Sequence, residues 1–421
     1  MISGDTYYDI IAICCIVIIS YSFSMIAKYT KIPSVLLLIV LGVGIQFLLK
    51  EFEISLGNNV FSLLQLLGII GLIMIVLEAA LDLRLTKDKS SLIIKAFFIA
   101  LFALMGSSIA IAWLLNYFLS FSYYTAFIYA IPLSIMSSAI IIPSVNQLSG
   151  KKKEFMIYES TFSDILGIMI FYFAIGNNES TLPMDLLKEI SINVGLTIGL
   201  SIIASYLLVL LFQRITENAR LFLLISALIL LYSIGKVFHL SSLIVILVFG
   251  LTLSNYKIFF SGRLKRFIDE AVLIRINKEF HLVTLESAFV VRTFFFVVFG
   301  LTLDLQSLLD INTAIISLSI TAALYLIRFI CLRPFFKSIL PELFIAPRGL
   351  ITVLLFFGIP PIFIQDSFSS GILLYTILIT GVIMTAGMIW KGNEPEDVER
   401  LEFTDLKQLD EELNQLNPEV K

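Results

Sequence analysis

The sequence predicts an all-α polytopic membrane protein of about 13 transmembrane helices, with inverted-topology repeats and two crossed discontinuous helices at the fifth and twelfth spans. Three observations lead there. Of 421 residues, 58% are apolar and 14% charged, with mean hydropathy +0.98, where a soluble domain carries about 25% charged residues. The apolar residues fall into runs near the roughly 20 residues that cross a bilayer. Short sequence stretches also recur at a separation of seven runs.

The runs lie near 10–27, 33–49, 61–83, 92–115, 123–146, 155–176, 187–212, 220–237, 241–256, 283–303, 311–332, 343–364 and 371–390. The first is read as a span rather than a leader, because Asp5 and Asp9 are acidic flanks, the run exceeds a leader's apolar core, and no Ala-x-Ala site follows. Cys14, Cys15 and Cys331 are odd in number and lie inside apolar runs, so they read as small core residues, not a disulfide or metal framework. No cofactor is implied.

Orientation follows from the basic residues. Of the 29 Lys and Arg, 18 fall in alternate loops on one side, among them Lys28, Lys31, Lys151, Lys152 and Lys153, and the opposite side holds only Lys50, Lys188 and Lys236. Cytoplasmic loops carry the positive excess, which puts the N-terminus outside and the C-terminus in the cytoplasm of a cell (inner or plasma) membrane. The basic residues are dispersed, so nothing suggests nucleic-acid binding.

Residues 1–390 form the membrane body and residues 391–421 an acidic cytoplasmic tail, with ten acidic and four basic side chains, net −6. The body alone is +3, so the overall −3 describes neither part. In the tail, Val398, Leu401, Leu406, Leu409, Leu413 and Leu416 recur at helical spacing. A solvated tail is the default reading, and a regulatory or dimer contact the sharper one.

The stretch from Ile32-Pro33-Ser34-Val35-Leu36 to Gly42, opening the second span, is echoed from Leu240-Ser241-Ser242-Leu243-Ile244 to Gly250, opening the ninth. Ala80-Leu81-Asp82-Leu83, closing the third, is echoed by Thr302-Leu303-Asp304-Leu305, closing the tenth. Seven is odd, so partners cross the membrane in opposite senses, as in many secondary transporters, whose sites lie where helices break near the midplane. The fifth and twelfth spans share that offset and both carry breakers. The fifth holds Pro132, Ser134, Ser137, Ser138 and Pro143, the twelfth Ala346-Pro347-Arg348-Gly349 and Pro360-Pro361.

A charge at the centre of a span costs about 2.5–3.5 kcal/mol even on lenient scales, so each needs a reason. Asp164 lies near the middle of the sixth span. Ser160 is four residues before it and shares its helix face, so both oxygens can converge on a small cation, and Ser163 points about 100° away, toward the broken helices. A single buried carboxylate cannot hold a proton and a cation together, which suffices for proton-coupled cation exchange. Glu78 is a second intramembrane acid and a further candidate ligand. Asp82 and Asp304 read as helix-end contacts. Arg328 needs a counter-charge, assigned to Glu159, and Arg333 is the alternative if the register slips. Arg348 would stabilise half-helix ends, and Arg292 and Lys95 read as snorkelling edge residues.

These residues carry a resemblance to the cation/proton antiporter superfamily, in particular the sodium/proton exchangers. Glu159-Ser160-x-x-Ser163-Asp164 resembles that family's Glu-Ser-x-x-Asn-Asp motif. Leu77 to Leu83, Phe295 to Leu301, and Ala346 to Leu350 resemble its third-, tenth- and twelfth-span segments. The resemblance implies interleaved core and dimerisation subdomains, a homodimer, and a secondary antiporter exchanging Na⁺ or K⁺ for H⁺. Asp164 would bind cation and proton alternately, with Ser160, Ser163, Glu78, Ser137 and Ser138 as further ligands, and Glu159, Arg328 and Arg348 would be structural. An Arg at position 328 implies electroneutral exchange. Two positions depart from the pattern: Ser163 replaces an Asn, and Met136-Ser137-Ser138-Ala139 replaces Thr-Asp-Pro and looks more like the potassium-efflux branch. A sodium-coupled symporter remains the rival reading. A channel is disfavoured because one Asp and one ion pair line a pore sparsely, and no Gly-x-Gly-Asp loop supports an intramembrane protease.

Overall fold

Backbone polar groups find no water inside a bilayer, so spanning segments must satisfy them within the chain, and helices do so residue by residue. The structure, a computed structural model, describes residues 14–23, 25–26, 34–51, 70–71, 73–81, 83, 85, 89–145, 148, 150–176, 199–211, 213, 220–237, 242–260, 266, 268–302, 310–336, 338–365 and 367–391. Among them every regular element is helical: α1 (Cys14–Phe23), α2 (Ser34–Glu51), α3 (73–81), α4 (Ser90–Leu119), α5 (Tyr123–Ser134), α6 (Ser138–Ser144), α7 (Gly150–Gly176), α8 (Gly199–Leu211), α9 (Arg220–Val237), α10 (Ser242–Ser254), α11 (Tyr256–Phe259), α12 (Glu270–Thr302), α13 (Ile311–Leu332), α14 (Leu350–Phe357) and α15 (Ser370–Lys391). Among the described residues, six helical stretches are long and apolar enough to cross a membrane, and shorter apolar helices accompany them. The chain is a multi-pass membrane protein.

Local chemistry sets the boundaries. α4 stops where Ser120 turns left-handed (φ 56°), with its N–H donating to the Asn116 carbonyl, and the Ser122 hydroxyl then accepts from Thr125 N (3.2 Å) to start α5. At α13 the Asp310 carboxylate accepts from Thr313 Oγ1 (2.7 Å), Thr313 N (3.0 Å) and Asn312 N (3.2 Å), bonds that hold its carboxyl below the ordinary range. α12 begins at Glu270, not near 283: Arg275, Lys278 and Glu279 gave the sequence a loop-like polarity, but they sit in the first turns of a 33-residue helix that outruns the apolar layer. Cys14 and Cys15 are exposed, in contrast to the core position expected. Asp82, Asp304 and residues 392–421 lie outside the described residues.

Two sets of helices emerge. α4, α5, α6, α7, α13, α14 and α15 pack on one another, whereas α2 packs on α12 and α9 on α10; α10 touches α12 and α7 about equally and lightly, and α12 touches α14 as lightly. The Ser20 and Thr293 hydroxyls, 2.7 Å apart, add α1 to the second set. Within it the backbones nearly touch. A Cβ on Gly42 would overlap the Val297 carbonyl, and one on Gly300 the Ile39 carbonyl. Likewise a Cβ on Gly250 of α10 would press on Ala80 of α3. The spans that carry the echoes thus meet in swapped pairs, second span with tenth and ninth with third.

The crossing predicts a sharp contrast. Gly300→Val should destabilise by about 1–3 kcal/mol or more by overpacking, whereas Gly44→Ala, with nothing within 4 Å of a new Cβ, should be neutral. Thermal unfolding in detergent separates them, and equal melting points would contradict the crossing.

Candidate functional site

The site begins with a missing donor. Pro132 cannot hydrogen-bond back along α5, and the helix ends two residues later at Ser134. Ile135 and Ser137 are extended, and α6 starts at Ser138. In the twelfth span residues 345–349 are likewise non-helical, Pro347 lies among them, and α14 runs only from Leu350 to Phe357. The two interruptions meet: Ser137 N donates to the Pro347 carbonyl at 3.0 Å. A Cβ on Gly349 would crowd the Ser137 side chain, so glycine permits the approach.

Interrupting a helix leaves its last carbonyls without donors, and the buried Arg348 supplies them. Its Nε donates to the Leu133 carbonyl (3.0 Å), Nη2 to Ser134 (3.2 Å) and Nη1 to Ala346 (2.5 Å), while its own N–H donates to Thr380 Oγ1 of α15 (3.1 Å). A cation at the negative end of α5 is also favoured by the helix dipole.

α7 runs past this junction and presents Glu159, Ser160, Ser163 and Asp164, all buried. The Ser163 hydroxyl accepts from Met136 N (3.0 Å), tying α7 to the fifth-span interruption. Asp164 Oδ2 accepts from Ser138 N (3.1 Å) in the first turn of α6, and Oδ1 has no hydrogen-bond partner among the described residues. Ser160 shares the face of Asp164, but its hydroxyl donates to the Ile157 carbonyl of its own helix (3.2 Å). Gly167 lets Ile135 pack against α7, fixing the register of the junction. Among the described residues no three His, Cys, Asp or Glu side chains cluster around a metal position. A cation here would rest on one carboxylate and neutral oxygens.

One turn below, Glu159 and Arg328 form a bidentate pair, Nη1 to Oε1 at 2.7 Å and Nη2 to Oε2 at 3.0 Å. Arg328 also donates through Nε (3.1 Å) and Nη2 (2.8 Å) to the Glu342 carbonyl and through Nη1 to the Met136 sulfur (3.0 Å). Both side chains are nearly sealed from solvent. A small cavity beside the pair is also lined by Ser107, Ser134, Ser163 and Arg348, so pair and junction share one compartment. Arg333, the alternative partner, is exposed at the end of α13.

Glu78 on α3 stands apart from this pair and meets Arg292 of α12, Nη2 to Oε2 at 3.2 Å. Arg292 is therefore not a snorkelling edge residue. Its side chain is only 17% exposed and turns inward, where Nη1 also reaches the Ala139 carbonyl of α6 (3.4 Å). Lys95 is exposed on α4. Sequence reasoning missed Arg292, the Met136 thioether and the Glu342 carbonyl. Only Arg292 left a signal, its charge within an apolar run.

The chain matches the family model described as "Sodium/hydrogen exchanger, transmembrane" over residues 12–389. No curated sequence matches it. Among solved structures it is similar in fold to the sodium proton antiporter MjNhaP1 of Methanocaldococcus jannaschii at pH 8, with TM-score 0.67, 18% identity, and 93% of this chain and 100% of that chain covered. A map of the same antiporter from electron microscopy gives TM-score 0.65 at 18% identity, covering 93% of this chain and 99% of that one.

The buried pair carries a stability test. Arg328→Ala strands Glu159 and should cost about 3–5 kcal/mol, whereas Glu159→Gln combined with Arg328→Met should recover most of it. Thermal unfolding checks the order, and a double variant no better than Arg328→Ala would contradict it.

Proposed function

The chain belongs to the sodium/hydrogen exchanger family, and on that premise we propose that it exchanges a monovalent cation for H⁺ by alternating access, with Asp164 binding the two in turn. One observation supports this most: Asp164 is held by one oxygen on the Ser138 N–H, and the other is buried with no partner among the described residues. A carboxylate in that position is stable as the acid or beside a cation, and least stable empty.

In this reading Ser160, Ser163, Ser137 and Ser138 serve as neutral ligands beside the carboxylate, and Glu78 of α3 as a further one. Glu159, Arg328 and Arg348 are structural, and the saturation of the Glu159–Arg328 pair keeps it out of the proton cycle, which fits one-for-one, electroneutral exchange. The touching interruptions are the crossed discontinuous helices of inverted repeats in a chain of about 13 spans. The set around α4 and α7 is the core that moves. The set around α2, α10 and α12 is the dimerisation domain of a homodimer, with the N-terminus outside the cell membrane and the acidic tail in the cytoplasm. Na⁺ is the ion the family premise favours. K⁺ is the second reading, favoured by Met136-Ser137-Ser138-Ala139, which offers hydroxyls where a second carboxylate would bind Na⁺ more strongly.

Proteoliposomes with Na⁺, K⁺ and Li⁺ over a pH series, read by an internal pH-sensitive dye and in parallel as current on a solid-supported membrane, test this. Cation gradients should drive proton movement with little net current, and Asp164→Asn should abolish it. One-for-one competition at a single carboxylate makes the apparent cation KM rise about tenfold per pH unit on the acidic limb. A wild type without cation-driven proton movement, or an active Asp164→Asn, refutes the reading. Cation-coupled uptake of an organic solute would mark a symporter.

A further inference from the structure

Arg328 and Arg292 are both guanidiniums paired with a carboxylate inside the body, and they are built differently. Arg328 is saturated, with both oxygens of Glu159 and the Glu342 carbonyl between 2.7 and 3.1 Å. Arg292 makes longer bonds, 3.2 Å to Glu78 and 3.4 Å to the Ala139 carbonyl, and its buried Nε has no partner among the described residues. Good charge-assisted bonds lie at about 2.7–2.9 Å. Arg292 is held loosely at a place where a tightly fixed charge was available to the same fold.

Its position gives the looseness a consequence. α12 and α3 belong to one set of helices, and Ala139 belongs to the other, one residue beyond the Ser138 N–H that anchors Asp164. Arg292 therefore spans the seam between the sets and lies within Coulomb range of the Asp164 carboxylate. A positive charge on Glu78, within Coulomb range of Asp164, occupies the electrostatic place that a monovalent cation would take. The guanidinium and the cation cannot both be fully satisfied by Glu78.

We propose that Arg292 is an internal competitor for the transported cation: it holds Glu78 while the site is empty, yields it when the ion arrives, and so sets the apparent cation affinity. This rests on the antiporter reading above. A purely structural Arg292–Glu78 pair predicts the opposite signature, because removing the guanidinium would then weaken the body and lower turnover without tightening the ion.

Arg292→Gln should lower the apparent KM for NaCl or KCl about fivefold or more, from one unit charge removed at partly screened range, with kcat unchanged or reduced. Arg292→Lys keeps the charge but cannot reach Glu78 and Ala139 together, so its KM falls by a smaller factor, and it carries the test if Arg292→Gln does not accumulate. In the background of Glu78→Gln, Arg292→Gln should lower KM by a clearly smaller factor, because only the charge's effect on Asp164 is then removed. A transport-free readout runs beside it: in detergent, NaCl, KCl or LiCl added against choline chloride should raise the melting point with a lower half-saturating concentration in Arg292→Gln than in wild type. An unchanged or raised KM and half-saturating concentration in both Arg292 variants overturns the proposal. Wild type that binds cation in the melting assay but moves no protons refutes the antiporter reading instead, and the melting comparison still decides the role of Arg292.

Discussion

The structure depends on one constraint: two helices are interrupted where water is scarce, and every backbone group freed there needs a partner from the chain. An unpaired backbone group in hydrocarbon costs several kcal/mol, so the junction would not persist on apolar packing alone. Arg348 meets the demand on the carbonyl side by joining Leu133, Ser134 and Ala346. On the amide side, Pro347 accepts from Ser137, Ser163 from Met136 and Asp164 from Ser138. Two of those three acceptors are side chains of α7. Position and function are therefore linked, because the atoms that hold the interruption open are the atoms around the proposed exchange carboxylate.

Three intramembrane acids meet three environments. Glu159 is matched oxygen for oxygen by Arg328, Asp164 is matched on one oxygen by a neutral N–H, and Glu78 faces a loosely held guanidinium. Desolvation is offset most fully at Glu159, less at Glu78, whose partner is a guanidinium at longer range, and least at Asp164, where a single neutral N–H stands in for a counter-charge. A carboxylate with a full complement of donors gains little from an incoming cation, whereas one left half-satisfied gains much. The gradation separates the scaffold from the exchange site without reference to sequence motif.

How much of this was legible in the sequence follows from the range of each interaction. The cost of a charge in a span belongs to one residue, so Asp164, Glu159, Arg328 and Glu78 stood out by depth alone. The depth of Arg328 called for a counter-charge, which was assigned to Glu159, and the structure brings these two side chains together. The interruptions were legible from Pro132, Pro347 and Gly349, because proline and glycine act locally. Lateral position is different: nothing in a linear sequence tells that the face of α12 bearing Arg292 turns toward α3, and its reading as an edge residue failed for that reason. The start of α12 failed for another, since charged turns protruding beyond the apolar layer have the composition of a loop.

The two kinds of contact also divide the molecule mechanically. Where Gly42 meets Gly300, backbone lies against backbone, and any slide drives carbonyl oxygens into Cα atoms. Where the two helix sets face each other, packing is sparse, and Arg292 reaches across with a long, flexible side chain that can follow a displacement or release its hold. A body made of two internally locked sets with a side-chain seam has its softest displacement along the seam, and Asp164 lies on one side of it with Glu78 on the other. Motion there changes the separation of the two carboxylates before it disturbs either set. Under the proposed exchange reading, that geometry alone would couple cation occupancy to helix-set position, with no need for a relay through the core.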